Sequence, residues 1–395
     1  MSKPVHQLDL PALDGANPLG FLAALGTLAV LSETDPKIKL GWHSRARWTP
    51  FLTSHNPLEE SEVMQRLATR LRGKPVDTEK EKLRDAAQRR FAAAKTELKN
   101  AEKRFKERGL RRKEKDAERE KEVAPYEDAF AAARTERLAA LKDAVPSPEL
   151  ALGDKPDCTI EEFRQHALAI RAQSKPADRN AADLVASFGA ELSADNDESI
   201  EPTPFCFVNG SGKQWFLATV RQLMTCKDPT KQEPSPPPCV TEANLRNCIF
   251  NHWAYSDEGL SMRWDPAEDV RYALRLDNPG PIGAYTVWMA NLIAYVALAC
   301  FPCAPVERGS ATACWPLGKK SPSFRWPVWE TPLTLDSIRS ILTHPALAAR
   351  DYESDRRPLR AELRARGIAA IFSAHRIQVG NPPLHKINFS PAFAL

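Results

Sequence analysis

Apolar positions along the chain fall into three kinds of pattern. The first is nearly continuous. In "NPLGFLAALGTLAVL" apolar residues from Leu19 to Leu31 occur on every side of a helix, which predicts a deeply buried one. Asn17 is suited to cap it and Pro18 to open it, and Asp35-Pro36 ends it. Gly20 and Gly26 would let another backbone approach closely, at a cost in helix propensity. The second pattern is strand-like. "KIKLGW" and "RWTPFLT" predict two strands joined by the polar turn His43–Ala46. The third is a seam: Ala87, Phe91, Ala94, Leu98, Ala101 and Phe105 recur at four- and three-residue spacings within 78–143, with charges between them. Gly109 breaks the run and a return helix over "YEDAFAAARTERLAALKDA" follows, which predicts a long helical hairpin projecting from the body.

Further helices are expected from Asn56-Pro57 to about Leu71, around 160–172 and 180–192, near 336–343, and over 358–366. "GLSMRWDPAEDVRYALRL" predicts strand, turn and strand, "SFRWPVWETPL" an extended segment, and "IAAIFSAHRIQVG" a final strand. The nineteen residues Gly283–Phe301 carry no charge, a length that can span a bilayer. Asn291 at mid-segment, diluted by Gly, Ala, Thr and Tyr, favours a buried core helix and no membrane. The fold class expected is mixed α+β, with a long antiparallel helical hairpin arm and a helical C-terminal half. The divisions expected are 1–77 (helix and β-hairpin), 78–145 (charged helical hairpin), 146–248 (mixed, with a Gly-rich basic loop) and 249–395 (mixed, with the apolar helix).

With 395 residues, 43% hydrophobic and 27% charged, the chain can bury a real core. The net charge of +4 is small, but 79–122 hold 17 Lys/Arg against 11 Asp/Glu, and a local excess creates a binding field. No stretch reads as a secretory signal, so the eight cysteines are expected as free thiols in a reducing, cytoplasmic setting. Cys300 and Cys303 make a single C-x-x-C, weak as a zinc site; buried thiols are the plainer reading, and no metal or other cofactor is expected.

"PFCFVNGSGKQWFLATVRQLM" contains the one segment that suggests phosphate: Asn209, Gly210, Ser211, Gly212, Lys213 and Gln214, ahead of a helical pattern. A nucleoside-triphosphate loop needs a further glycine where Phe207 stands and a hydroxyl where Gln214 stands, so ATP hydrolysis is excluded. What survives is one backbone phosphate held by Lys213 and the amides of the next helix, against a glycine turn that only joins two elements. The hairpin tip adds Lys103, Arg104, Arg108, Arg111, Arg112 and Lys113, where a solvated ion-paired arm is the alternative. Arg357, Arg360 and Arg364 share one helical face; surface salt bridges are the plainer reading and contact with phosphates the sharper one. Trp253, Trp264, Trp315, Trp326 and Trp329 can stack on bases or form core. Asp265, Glu268 and Asp269 would suit a metal nuclease, but "DPAED" is also an ordinary turn, and no catalytic residue is assigned.

The blocks "LDGANPLGFLAALGTLAVL" (13–31), "LGWHSRARWTPFL" (40–52), "MRWDPAEDVRYAL" (262–274) and "RIQVGNPPLHKINF" (376–389) resemble CRISPR-associated subunits of type I-G (formerly I-U) systems. The large-subunit role fits best, with the extension family tied to the helicase-nuclease as a second match. The resemblance implies a non-enzymatic part of an RNA-guided complex whose partners are DNA, guide RNA and other effector subunits. Such subunits read the motif beside the target, help open the duplex and guide the displaced strand. The rival expectations are a protein-interaction scaffold using the helical hairpin and a metal-dependent nuclease.

Overall fold

The computed structural model describes residues 5–108, 118–156, 158–175, 178–191, 199–209, 212–213, 215–225, 239–268, 285–306, 310–316, 322–348, 356–379 and 386–395. Its longer helices are α1 (Pro18–Ser32), α2 (Glu60–Arg72), α3 (Thr78–Glu107), α4 (Ala124–Asp143), α5 (Ile160–Gln173), α6 (Asn180–Phe188), α7 (Phe216–Thr225), α8 (Glu242–Phe250), α9 (Trp288–Ala297), α10 (Leu335–Leu342) and α11 (Arg356–Ala365). The strands used below are β1 (His6–Asp9), β2 (Lys39–Ser44), β3 (Trp48–Ser54), β4 (Val208–Asn209), β5 (Gly212–Lys213), β6 (Ser323–Trp329), β7 (Leu333–Thr334), β8 (Ile368–Val379), β9 (Lys386–Phe389) and β10 (Phe393–Ala394). Both helices and antiparallel sheets are present, so the class is mixed α+β. Residues Lys74–Gly153 form one compact unit, and Met1–Gly73 with Asp154–Leu395 form the other. The N-terminal, middle and C-terminal regions on either side of the charged segment thus belong to one unit.

In the larger unit, α1 is buried from Pro18 to Leu31 and packs on α9. The Asn17 side chain accepts the Gly20 amide at 3.1 Å, as a helix cap should. A Cβ at Gly26 would lie 2.0 Å from the Ile293 carbonyl oxygen, so only glycine lets these two backbones meet. The uncharged segment thus supplies a ten-residue buried helix, α9. Among the described residues no helix is long and apolar enough to cross a membrane.

Two antiparallel sheets flank this helix pair in sequence. One has the order β1-β3-β2-β7 and pairs Leu8 and Leu40 with Leu52 and Leu333 with Leu40. In the other, β8 pairs with β6, β9 and β10. Tryptophans tie the sheets to α1. Trp326 Nε1 donates to the Gly15 carbonyl and Trp329 Nε1 to the Leu40 carbonyl, both at 2.7 Å, and Phe21 stacks on Trp42 at 5.8 Å. The C-terminal half therefore carries a four-stranded sheet beside its helices, where a helical half was expected. Residues 259–264 also differ from the expected strand. Leu260 and Arg263 have positive φ angles of 47° and 63°, which no strand accommodates.

The smaller unit is built on α3 and α4, which run antiparallel. Phe91 meets Phe130 at 5.2 Å, and near the other end the Arg84 guanidinium donates to the Ala144 carbonyl at 3.3 Å. Of the expected seam residues on α3, Ala87 and Ala101 are buried, and Phe91, Ala94, Leu98 and Phe105 half-buried.

Cys158, Cys206, Cys248, Cys300, Cys303 and Cys314 are free thiols. Cys239 is disulfide-bonded, a departure from the expectation of free thiols throughout. Cys300 and Cys314 are buried, and Cys303 donates to the Ser187 carbonyl at 3.4 Å. Among the described residues no group of three or more His, Cys, Asp or Glu is placed to hold a metal.

Candidate nucleic-acid interface

The glycine segment contributes two short antiparallel strands. β4 pairs with β5, placing Val208 opposite Lys213 and Asn209 opposite Gly212. Gly210, Ser211 and Gln214 lie outside the described residues. Lys213 is therefore a strand residue, and the expected loop running straight into helix amides is corrected. Those amides are already engaged. At the start of α7, Leu217 and Ala218 donate to the Asp154 carbonyl at 3.0 and 3.2 Å. The Asp154 carboxylate pairs with the buried Arg221 guanidinium on the same helix. A buried ion pair is costly to break, because it strands a charge, so residue 154 is firmly pinned to α7.

This pin has a consequence one residue on. The Lys155 ammonium lies over the Trp215 ring, 5.2 Å from its centroid. Trp215 is 57% exposed, more than any other described aromatic of its size. Its neighbour Phe216 is fully buried and packs on Trp264 at 6.1 Å and Tyr295 at 6.4 Å. The backbone that presents Trp215 is thus anchored on one side by the core and on the other by Asp154. Of the two readings of Trp253, Trp264, Trp315, Trp326 and Trp329, core holds: they are at most 9% exposed. Sequence reasoning does not single out Trp215. The available signal is its place between the polar glycine segment and an apolar helix, where one large ring is left at the boundary.

The expected arm-tip cations behave differently. Lys103 lies 3.8 Å from Glu107, and the Arg104 guanidinium sits 5.9 Å from the Tyr126 ring centroid. Arg108 pairs with both Glu118 and Glu122. Arg90 meets Glu136 across the helix pair, and Arg119 meets Glu127 along the return segment. Much of the described positive charge here is answered within the helix pair, which weakens its field at a distance. Arg111, Arg112 and Lys113 lie outside the described residues. Arg357, Arg360 and Arg364 all fall on α11, and Arg364 is exposed. Glu362 on that helix pairs with Arg366 and His344 at 3.3 and 3.2 Å.

Asp265 and Glu268 are 0% and 2% exposed and form a buried polar node. Asp265 accepts from Asn17 Nδ2 at 3.0 Å, the Tyr255 hydroxyl at 2.8 Å and the Ala267 amide at 2.9 Å. Asn388 Nδ2 donates to the Asp265 carbonyl at 3.3 Å. Glu268 accepts from the hydroxyls of Ser261 and Thr286, and Asn291 links Thr286 to the Met262 amide. Burial raises the Asp265 carboxyl above its ordinary range, with the Ala267, Asn17 and Tyr255 hydrogen bonds pulling the other way. Burial pushes Glu268 up to about 7. Carboxylates this enclosed, with their oxygens occupied by protein donors, act as internal acceptors and leave no open face for a hydrated magnesium ion. Asp269, the third acid of the nuclease reading, lies outside the described residues.

The node also joins distant parts of the chain. Asn17 and Asn388 lie 248 and 123 residues from Asp265 in the chain and meet it here. Trp264, next to Asp265, donates from Nε1 to the Phe205 carbonyl at 3.1 Å, so the node supports the chain leading into β4. No family model matches the chain, and no curated protein matches it.

Proposed function

We propose that this chain is a non-catalytic nucleic-acid-binding subunit of an RNA-guided CRISPR type I effector complex, contributing to target DNA recognition. Its contacts would be DNA, guide RNA and neighbouring effector subunits. The observation that carries the reading is local: an exposed Trp215 with Lys155 on its ring, two residues beyond Lys213 in a glycine-rich segment. Cations hold phosphates and aromatic faces hold bases, and here the two occur together. The resemblance of the four blocks supplies the kind of complex. Lys213 and Lys155 serve phosphates, and Arg364 on α11 is a secondary candidate.

Titration of the full chain with fluorescent single-stranded and duplex oligonucleotides tests the reading. Affinity should fall with salt, by about 0.7 log units per tenfold salt for each single-strand phosphate neutralised and about 0.9 for each duplex phosphate. Lys213→Glu should weaken binding to all sequences alike. A flat salt response would reject the electrostatic part.

A second reading has its own support. The lateral pairing of Arg90 and Arg108 with Glu136, Glu118 and Glu122 suits a helical hairpin arm that docks protein rather than nucleic acid. Removal of 79–143 separates the two. Loss of a partner subunit with oligonucleotide binding retained assigns the arm to scaffolding.

A further inference from the structure

We infer that Trp215 and Lys155 form a platform for one unpaired nucleobase, which makes the chain select single-stranded over duplex nucleic acid. The inference rests on the nucleic-acid reading above and goes further, to the class of substrate and the group that recognises it.

Three features carry it. First, Lys155 lies over the indole while more than half of the residue stays exposed, which leaves ring surface accessible to a flat partner. A cation over an indole already draws on the ring's negative face, and a base stacked opposite completes a sandwich of cation, ring and base. The same ammonium lies within reach of the phosphate that accompanies such a base. Second, the backbone on which both side chains stand is anchored. Phe216 is locked among Trp264, Tyr295 and Phe188, and Asp154 is fixed by Arg221 and by two amides of α7. A ring on an anchored backbone has less freedom to lose on binding, which is where stacking otherwise forfeits its gain. Third, the sequence leading to the ring lacks the apolar anchors of a protein-docking patch. In sequence, Asn209–Gln214 is polar with one lysine, whereas a protein interface centres on apolar anchors. A duplex cannot use such a ring without unpairing, because its base faces are already stacked.

The test uses the full chain and oligothymidylate, the same oligomer with abasic sites, and a duplex of matched length, at about 50 mM salt. Trp215→Ala should lose about 5- to 150-fold in affinity for oligothymidylate. Trp215→Phe, which keeps an aromatic face, should retain most of that affinity. The abasic oligomer should bind the unaltered chain about as weakly as oligothymidylate binds Trp215→Ala. Duplex affinity should not respond to Trp215→Ala. Trp215 is exposed, so a thermal melt of Trp215→Ala should match that of the unaltered chain. Equal binding of thymidylate and abasic oligomers, with no loss in Trp215→Ala, would overturn the platform while leaving nucleic-acid binding intact. Loss of a protein partner with oligonucleotide affinity unchanged would overturn it in favour of a protein contact. If no oligomer binds at low salt, the nucleic-acid reading itself fails, and the platform with it.

Discussion

Glu268 offers the sharpest prediction about the buried node. Its carboxyl is 2% exposed, and burial raises it from 4.5 to about 7, with the Ser261 and Thr286 hydroxyls opposing the rise and the Asp265 charge adding to it. The folded chain therefore holds a proton on Glu268 at pH values where the unfolded chain has released it. Stability from this group is fully present below the unfolded value and is lost as pH climbs through the folded one. At about 1.4 kcal/mol for each pH interval, the span from 4.5 to about 7 amounts to roughly 3 kcal/mol. Glu268→Gln removes the titration while keeping an oxygen acceptor and nearly the same volume. Urea unfolding of both chains, repeated from acid to mildly alkaline pH, isolates the effect as a difference. Other groups raised by burial, such as Asp257 and Asp265, largely cancel in that comparison. The unaltered chain should lose about 3 kcal/mol relative to the variant as pH rises through this window, then run parallel to it. A difference that stays constant with pH, or that moves the other way, would refute the buried, protonated carboxyl.

Other consequences follow from packing. Gly26→Ala gains up to about 1 kcal/mol in helix propensity, but the new methyl collides with the Ile293 carbonyl, so urea unfolding should show a net loss of about 1–3 kcal/mol. Asn17→Ala removes both the cap of α1 and a donor to Asp265, and chemical denaturation should show a loss of about 1–3 kcal/mol. A double-mutant cycle on Arg90 and Glu136, both about half exposed, should return a coupling of less than about 1 kcal/mol that fades with added salt.

Much of the scaffold is legible where local chemistry and tertiary demand agree. Asn17-Pro18 before an all-round apolar run can hardly be anything but the start of a buried helix, and α1 begins there. The seam from Ala87 to Phe105 is equally plain, because a surface helix needs only one partner face. Residues 255–268 are not legible. Their conformation is set by Asn17 and Asn388, 248 and 123 residues from Asp265, and by positive φ angles at Tyr255, Leu260 and Arg263 that no local period announces. The same limit applies at the candidate interface. Glycines and a lysine suggest an anion loop, but the helix amides that would complete it are occupied by Asp154, sixty-odd residues earlier in the chain. Tryptophan identity alone does not separate a ring in the core from one at its edge. Trp264 and Trp215 differ only in what the rest of the chain lays over them.

The most direct measurement is to map where nucleic acid touches the chain. A single-stranded oligonucleotide carrying photoreactive bases, cross-linked to the full chain and followed by peptide mass spectrometry, reads this without any substitution. Adducts should concentrate between Phe205 and Arg221, on Trp215 above all, and should vanish when unlabelled single strand competes. Adducts confined to 78–143, or none above a non-binding control, would contradict the account.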